Sequence, residues 1–134
     1  MTVEHDVAVP CLTVVRPAVP ASVGEIRRAV RDFAVANGAR GAVLAAIAQA
    51  VSEAVTNAVL HAYPRRPGMV RVDIDVEGDE LEVVVVDEGR GFTSAPAPGL
   101  GLGLALVREG ASQFEIRDRV PRGVEVWLRY ALPG

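Results

Sequence analysis

Between Gly41 and Pro64 only one residue, Glu53, carries a formal charge. A stretch this long and this apolar must either enter a membrane or lie against a protein core. It also contains Gln49, Ser52, Thr56, Asn57 and His61, which are costly in lipid. A membrane span is therefore rejected, and a long helix from about Gly41 to Ala62 is expected, ended by Pro64. Glu53, Asn57 and His61 recur at i, i+4 and i+8 and form one stripe along it. A solvated helix face would carry many charges, whereas this polar face is short and almost uncharged, which suits a pocket wall. A carboxylate there can act as general base. An amide oxygen one turn away is a neutral ligand suited to Mg²⁺, a hard cation that prefers oxygen. Taken alone, the segment also fits an ordinary amphipathic helix with a satisfied histidine.

A second chemical signal lies downstream. Val83 to Val86 read as a buried strand, and Asp87 stands at its end. A carboxylate so placed can accept a hydrogen bond from an exocyclic amine such as that of adenine. Gly89 and Gly91 would let the backbone turn sharply or approach a flat ring. The run Gly99-Leu-Gly-Leu-Gly-Leu precedes a helical pattern, and bare N–H groups at a helix start are a natural seat for phosphate. Turn glycines in a pair of plain loops would give the same pattern.

The remaining segments fill in a fold. Residues 7 to 16 are β-branched and broken by Pro10, as in a strand at a sheet edge. A helix opens near Pro20, with Ser22 expected as N-cap and Glu25 completing a capping box, and Asn37-Gly38 stops it. Val70 to Val76 alternates with Arg71, Asp73 and Asp75, and turns at Glu77-Gly78-Asp79 into Leu81 to Val86. A helix from about Leu102 to Ala111 then leads to two strands, Gln113 to Asp118 and Val124 to Tyr130. Consecutive hairpins imply a mainly antiparallel sheet. The expected fold class is a two-layer α/β (α+β) sandwich with three helices on one face, and residues 1–134 are read as one domain.

Charge narrows the partners. The formal net charge is −3 from 14 basic and 17 acidic residues, which argues against direct nucleic-acid binding and against a polybasic membrane anchor. All the basic residues are arginine, so a lysine clamp on phosphate is impossible. One cysteine, Cys11, and no basic-then-apolar leader pattern point to a reducing, cytoplasmic setting.

Together the segments resemble the adenine-nucleotide site of the histidine-kinase-like ATPases. Glu53-Ala-Val-Thr-Asn57-Ala-Val-Leu-His61-Ala-Tyr resembles the N-box, Asp87-Glu-Gly89-Arg-Gly91-Phe the first glycine box, and Gly99-Leu-Gly101-Leu-Gly103-Leu the second. The wording of the N-box is nearest to the bacterial anti-sigma-factor serine/threonine kinases. The resemblance implies ATP and Mg²⁺ as cofactors. It implies Glu53 as catalytic base, Asn57 as the Mg²⁺ ligand and His61 near the phosphate end. Asp87 would bind the adenine amine, Gly89 and Gly91 would shape the pocket, and Gly99, Leu100, Gly101, Leu102 and Gly103 would cradle phosphate. The implied partners are a sigma factor, an anti-anti-sigma-factor protein substrate and a second copy in a homodimer.

One departure from the family pattern opens an alternative. Only residues 92 to 98 separate the two glycine boxes, they carry no charge, and they include two prolines. Family lids are usually longer and often basic. A nucleotide-binding partner-switch module with little or no kinase activity is the second reading.

Overall fold

Hydrophobic alternation sets the sheet. Val70, Val72, Ile74 and Val76 are buried, while Arg71, Asp73 and Asp75 between them are half-exposed. In the computed structural model, which describes residues 9–64, 66–89 and 110–133, this segment is the second of five strands. The elements are β1 (Cys11–Pro17), α1 (Pro20–Ala36), α2 (Gly41–Asn57), β2 (Met69–Glu77), β3 (Glu80–Asp87), β4 (Gln113–Asp118) and β5 (Val124–Ala131). A π-helical turn, Ala58–Ala62, continues α2. The strands form one sheet in the order β1-β2-β3-β5-β4, with every pairing antiparallel. The first strand lies at the sheet edge, as expected, but it begins after Pro10 rather than being broken by it.

The two helices of the described residues share one face of the sheet. α1 packs on β1 and on α2, and α2 packs on β3 and β5. Their inward side chains, led by Ile26, Val30, Ile47, Val51 and Val55, meet Val72, Ile74, Val83, Leu128 and Tyr130 in one continuous core. By length and composition the helix Gly41–Ala62 could cross a membrane. Its buried Ile47, Ala50, Val51, Ala54 and Val55 instead make it the central core helix. The third expected helix, Leu102 to Ala111, falls mostly on residues outside those described; Gly110 is a turn residue with φ +81° and Ala111 is not helical.

The start of α1 departs from expectation. Ser22 is not the N-cap: it is buried inside the helix, and its N–H closes the first turn on the Val19 carbonyl at 2.9 Å. Val19 takes the cap position without a side-chain hydrogen bond. Pro20 explains the shift, because its fixed φ and missing N–H suit the first helical position. No capping box forms, and Glu25 instead lies 3.5 Å from the Arg16 guanidinium.

Candidate functional site

The polar stripe of α2 follows from what the core takes. Ile47, Ala50, Val51, Ala54 and Val55 turn toward the sheet. With about 100° between successive residues, Glu53 and Asn57 are left on the flank between the buried face and solvent. Both are half-buried. Asn57 ends the α-helical part, and its Nδ2 is buried without a hydrogen-bond partner among the described residues. Ser52 and Thr56 lie beside them, and the Ser52 hydroxyl donates to the Ala48 carbonyl at 2.9 Å within the helix. His61 does not follow at α-helical phase, because residues 58–62 form a π turn with more residues per turn. The i+8 step of the expected stripe is therefore displaced, although His61 remains on the same element. Wide turns of this kind recur at functional sites.

Asp87 comes from the other layer. Along β3, Leu81, Val83 and Val85 face the helices, and Asp87 continues that register. It pairs with Val70 of β2 and Val124 of β5, at the last rung of the sheet. Its side chain is buried, at 9% exposure. Burial pushes its carboxyl up to about 6. Hydrogen bonds from the Gly89 and Val124 N–H groups, and the Arg119 charge, hold the rise in check. The Gly89 N–H donates to Asp87 Oδ1 at 3.0 Å, which draws the chain into a tight turn directly after the strand. That leaves a helix-facing carboxylate at the sheet end with lone pairs to spare.

Gly89 joins the two halves. A Cβ at this position would overlap the Ala62 carbonyl oxygen and lie 2.7 Å from the Ala62 Cβ. The first glycine of the box is thus packed on the last turn of the helix that carries Glu53, Asn57 and His61. Gly123 plays a similar part from the β4–β5 connection: with φ +110°, a Cβ there would overlap the Asp87 carbonyl oxygen. Two side chains absent from the expected set brace the turn. Tyr63 bonds to the Glu88 N–H, and Arg119 lies 3.3 Å from both the Glu88 and the Glu125 carboxylates. Tyr63 closes the N-box wording and was legible as a neighbour of the site; Arg119 has no sequence signal. Gly91, Gly99, Leu100, Gly101, Leu102 and Gly103 lie outside the described residues, as do Arg65 and Arg90.

The histidine kinase-like ATPase domain family matches residues 16–130. The chain belongs to this family. The match runs from the end of β1 through β5 and so spans both halves of the site. Among solved structures, the crystal structure of the RsbU and RsbW domains of Rv1364c from Mycobacterium tuberculosis is similar, with a TM-score of 0.75 and 25% identity. The likeness covers 92% of this chain and 32% of that one, so the chain spans about a third of that structure's length. No curated protein sequence matches the chain. The α+β sheet-and-helix arrangement is thus the histidine kinase-like ATPase fold.

The residues present fit the nucleotide that an ATPase domain implies. Asn57 has a buried amide NH₂ donor without a partner among the described residues, Asp87 offers a helix-facing acceptor, and Gly89 permits an approach that any side chain would block. Among the described residues there is no cluster of three or more His, Cys, Asp or Glu that could hold a metal. A divalent ion near Asn57 would therefore complete its shell with phosphate oxygens and water, the usual habit of Mg²⁺.

Proposed function

We propose that this histidine kinase-like ATPase domain binds Mg-ATP, phosphorylates a serine on an anti-anti-sigma-factor protein, and sequesters a sigma factor. The observation that carries the reading is the packing of Gly89 on the last turn of the Glu53–Asn57 helix, with buried Asp87 two residues earlier facing the helix layer. Two segments separated in sequence meet at one end of the sheet, and each brings the group the chemistry needs. The likeness to a structure with an RsbW domain supports the partner-switch part of the reading.

In this reading Asp87 accepts the exocyclic amine of adenine, and Gly89 and Gly91 leave room for the ring. His61, Gly99, Leu100, Gly101, Leu102 and Gly103 lie along the phosphates. Asn57 holds Mg²⁺ through its amide oxygen; the ion, when bound, neutralises charge on the phosphates. Glu53 takes the proton from the substrate serine hydroxyl as the serine oxygen attacks the γ-phosphorus of ATP, while the bond from that phosphorus to the β-phosphate oxygen breaks and ADP leaves. Catalysis of this type is largely positioning and charge neutralisation, and the chain's rigid contribution is the helix that fixes Glu53 and Asn57 one turn apart. A sigma factor and a homodimeric partner would bind elsewhere on the domain, in the cytoplasm.

The test is transfer of labelled phosphate from ATP to a cognate anti-anti-sigma-factor protein, with Glu53→Gln alongside. Transfer by the wild type and a loss of at least about a hundredfold in the variant is expected. Equal labelling by both would remove Glu53 as the base. The uncharged stretch 92–98 favours a second reading, a nucleotide-gated switch without chemistry. Tight Mg-ADP and partner binding with no transfer would select it.

A further inference from the structure

Tyr63 occupies the junction between the two halves of the site. It directly follows the π turn, with φ −127° and ψ 71° ending the helix. Its hydroxyl donates to the Met69 carbonyl oxygen at 2.6 Å, at the first residue of β2. The same oxygen accepts the Glu88 N–H at 2.8 Å, in the turn between Asp87 and Gly89. Its ring fills the space that a side chain at Gly68 would need. Its predecessor in the chain, Ala62, touches Gly89. Two consecutive residues at the end of the helix therefore grip two consecutive residues of the turn.

We propose that Tyr63 is a positioning residue for the nucleotide pocket, a clamp that sets the Asp87–Gly89 turn at a fixed height against the helix bearing Glu53 and Asn57. The inference rests on the nucleotide-binding reading given above. One hydroxyl serves both ties, and it does so only as the neutral phenol, which has one proton to give and lone pairs to receive. The surroundings keep it neutral: burial first, then the nearby Asp87 and Glu88 carboxylates, raise its pKa, against the Glu88 and Met69 hydrogen bonds. Replacement by phenylalanine keeps the ring over Gly68 and removes both ties at once. The Glu88 amide would then turn to water, and the turn would lose its anchor to the helix end.

Because the clamp acts on the end of the pocket where Asp87 lies, it has a signature that general loosening lacks. ADP and ATP carry the same base and ribose, so their affinities must fall together. In calorimetric titrations, Tyr63→Phe is expected to weaken ADP and ATP by the same factor, between about threefold and tenfold, the range for lost hydrogen bonds. Amide hydrogen exchange should show faster exchange at Glu88 in the variant, with core amides of β3 unchanged. In the wild type, the Glu88 amide should already be protected without nucleotide and more so with ADP. Wild-type binding with unchanged affinities in Tyr63→Phe, or a loss for ATP alone, overturns the proposal and leaves the nucleotide-binding reading intact. If the variant does not fold, the wild-type measurement decides: a Glu88 amide exchanging like an open loop amide in both states overturns it. Failure of the wild type to bind either nucleotide overturns the reading and the proposal with it.

Discussion

The carbonyl oxygen of Ala62 occupies the space that a side chain on Gly89 would need. Helix end and glycine turn therefore meet backbone to backbone. Gly89→Ala must push the turn off the helix, because the obstacle is main chain and cannot rotate aside. A loss of about 1–3 kcal/mol in stability is expected from such overpacking, read by urea denaturation, with nucleotide binding lost alongside. Gly24→Ala is the control. Its Cβ would sit in α1 at ordinary contact distance, 3.5 Å from the Arg28 guanidinium. An alanine in a helix interior should stabilise by about 0.5–1 kcal/mol.

Asp87 makes stability and binding pull in opposite directions. Its folded-state pKa, about 6, stands above the ordinary carboxylate value of 3.8. Between those values the folded chain holds more protons than the unfolded chain, so stability falls as pH rises through this window. The contribution is fully present below about pH 4 and gone above about pH 6. Asp87→Asn removes the buried charge and keeps an oxygen for the Gly89 N–H. It should be more stable than the wild type by about 2–3 kcal/mol at pH 7, with the gain vanishing near pH 4. Its affinity for ADP should nonetheless fall about tenfold. Thermal melts across pH 4–7, paired with calorimetry at pH 7, test both halves. A variant that is both less stable and fully able to bind would contradict the assignment.

Much of this arrangement was written in local pattern. The alternation of Val70, Val72, Ile74 and Val76 and the unbroken Val83–Val86 run fixed the β2–β3 hairpin, and burial of the whole run follows from β3 lying between β2 and β5. The long uncharged segment announced the core helix, and Asp87 at the strand end announced a polar group facing that core. What was not legible depends on contacts across sequence. The π turn at Ala58–Ala62 shifts His61 out of the phase that i, i+4, i+8 spacing assigns, and periodicity carries no sign of it. The Ser22 cap failed because Ser-x-x-Glu is a common local pattern, while the Pro20 ring sets the helix start one turn earlier. The Arg119 bridge between Glu88 and Glu125 joins residues that no spacing rule relates.

Tyr130 offers a stability test away from the site. Its side chain is fully buried in the core, and its hydroxyl is buried without a hydrogen-bond partner among the described residues. Burial also raises its pKa far above the ordinary phenol value. An unpaired buried hydroxyl is a cost carried by the fold. Tyr130→Phe keeps the ring and removes that cost, so the melting temperature should rise, by an amount corresponding to about 1 kcal/mol. A fall in melting temperature would mean that the hydroxyl has a partner in solution.

Arg119 gives a prediction that links the turn to the sheet face opposite α1 and α2. Its guanidinium spans the Glu88 and Glu125 carboxylates, and Glu125 Oε1 in turn accepts the Trp127 indole N–H at 2.9 Å. Arg119 also lowers the Asp87 pKa, so it helps keep that carboxyl ionised near neutral pH. Arg119→Met retains the aliphatic stem and deletes the charge. Global stability should change by less than about 1 kcal/mol, since the ion pairs are partly exposed and screened. The Asp87 pKa should rise further, moving the acid limb of adenosine binding to higher pH than in the wild type. Adenosine is the ligand to use, because it has no phosphate to titrate in the same window. Trp127 is the only tryptophan in the chain, so its fluorescence should change in Arg119→Met as the Glu125 carboxylate loses its Arg119 partner. An unmoved acid limb, with normal binding at neutral pH, would show that the Arg119 charge does not reach Asp87.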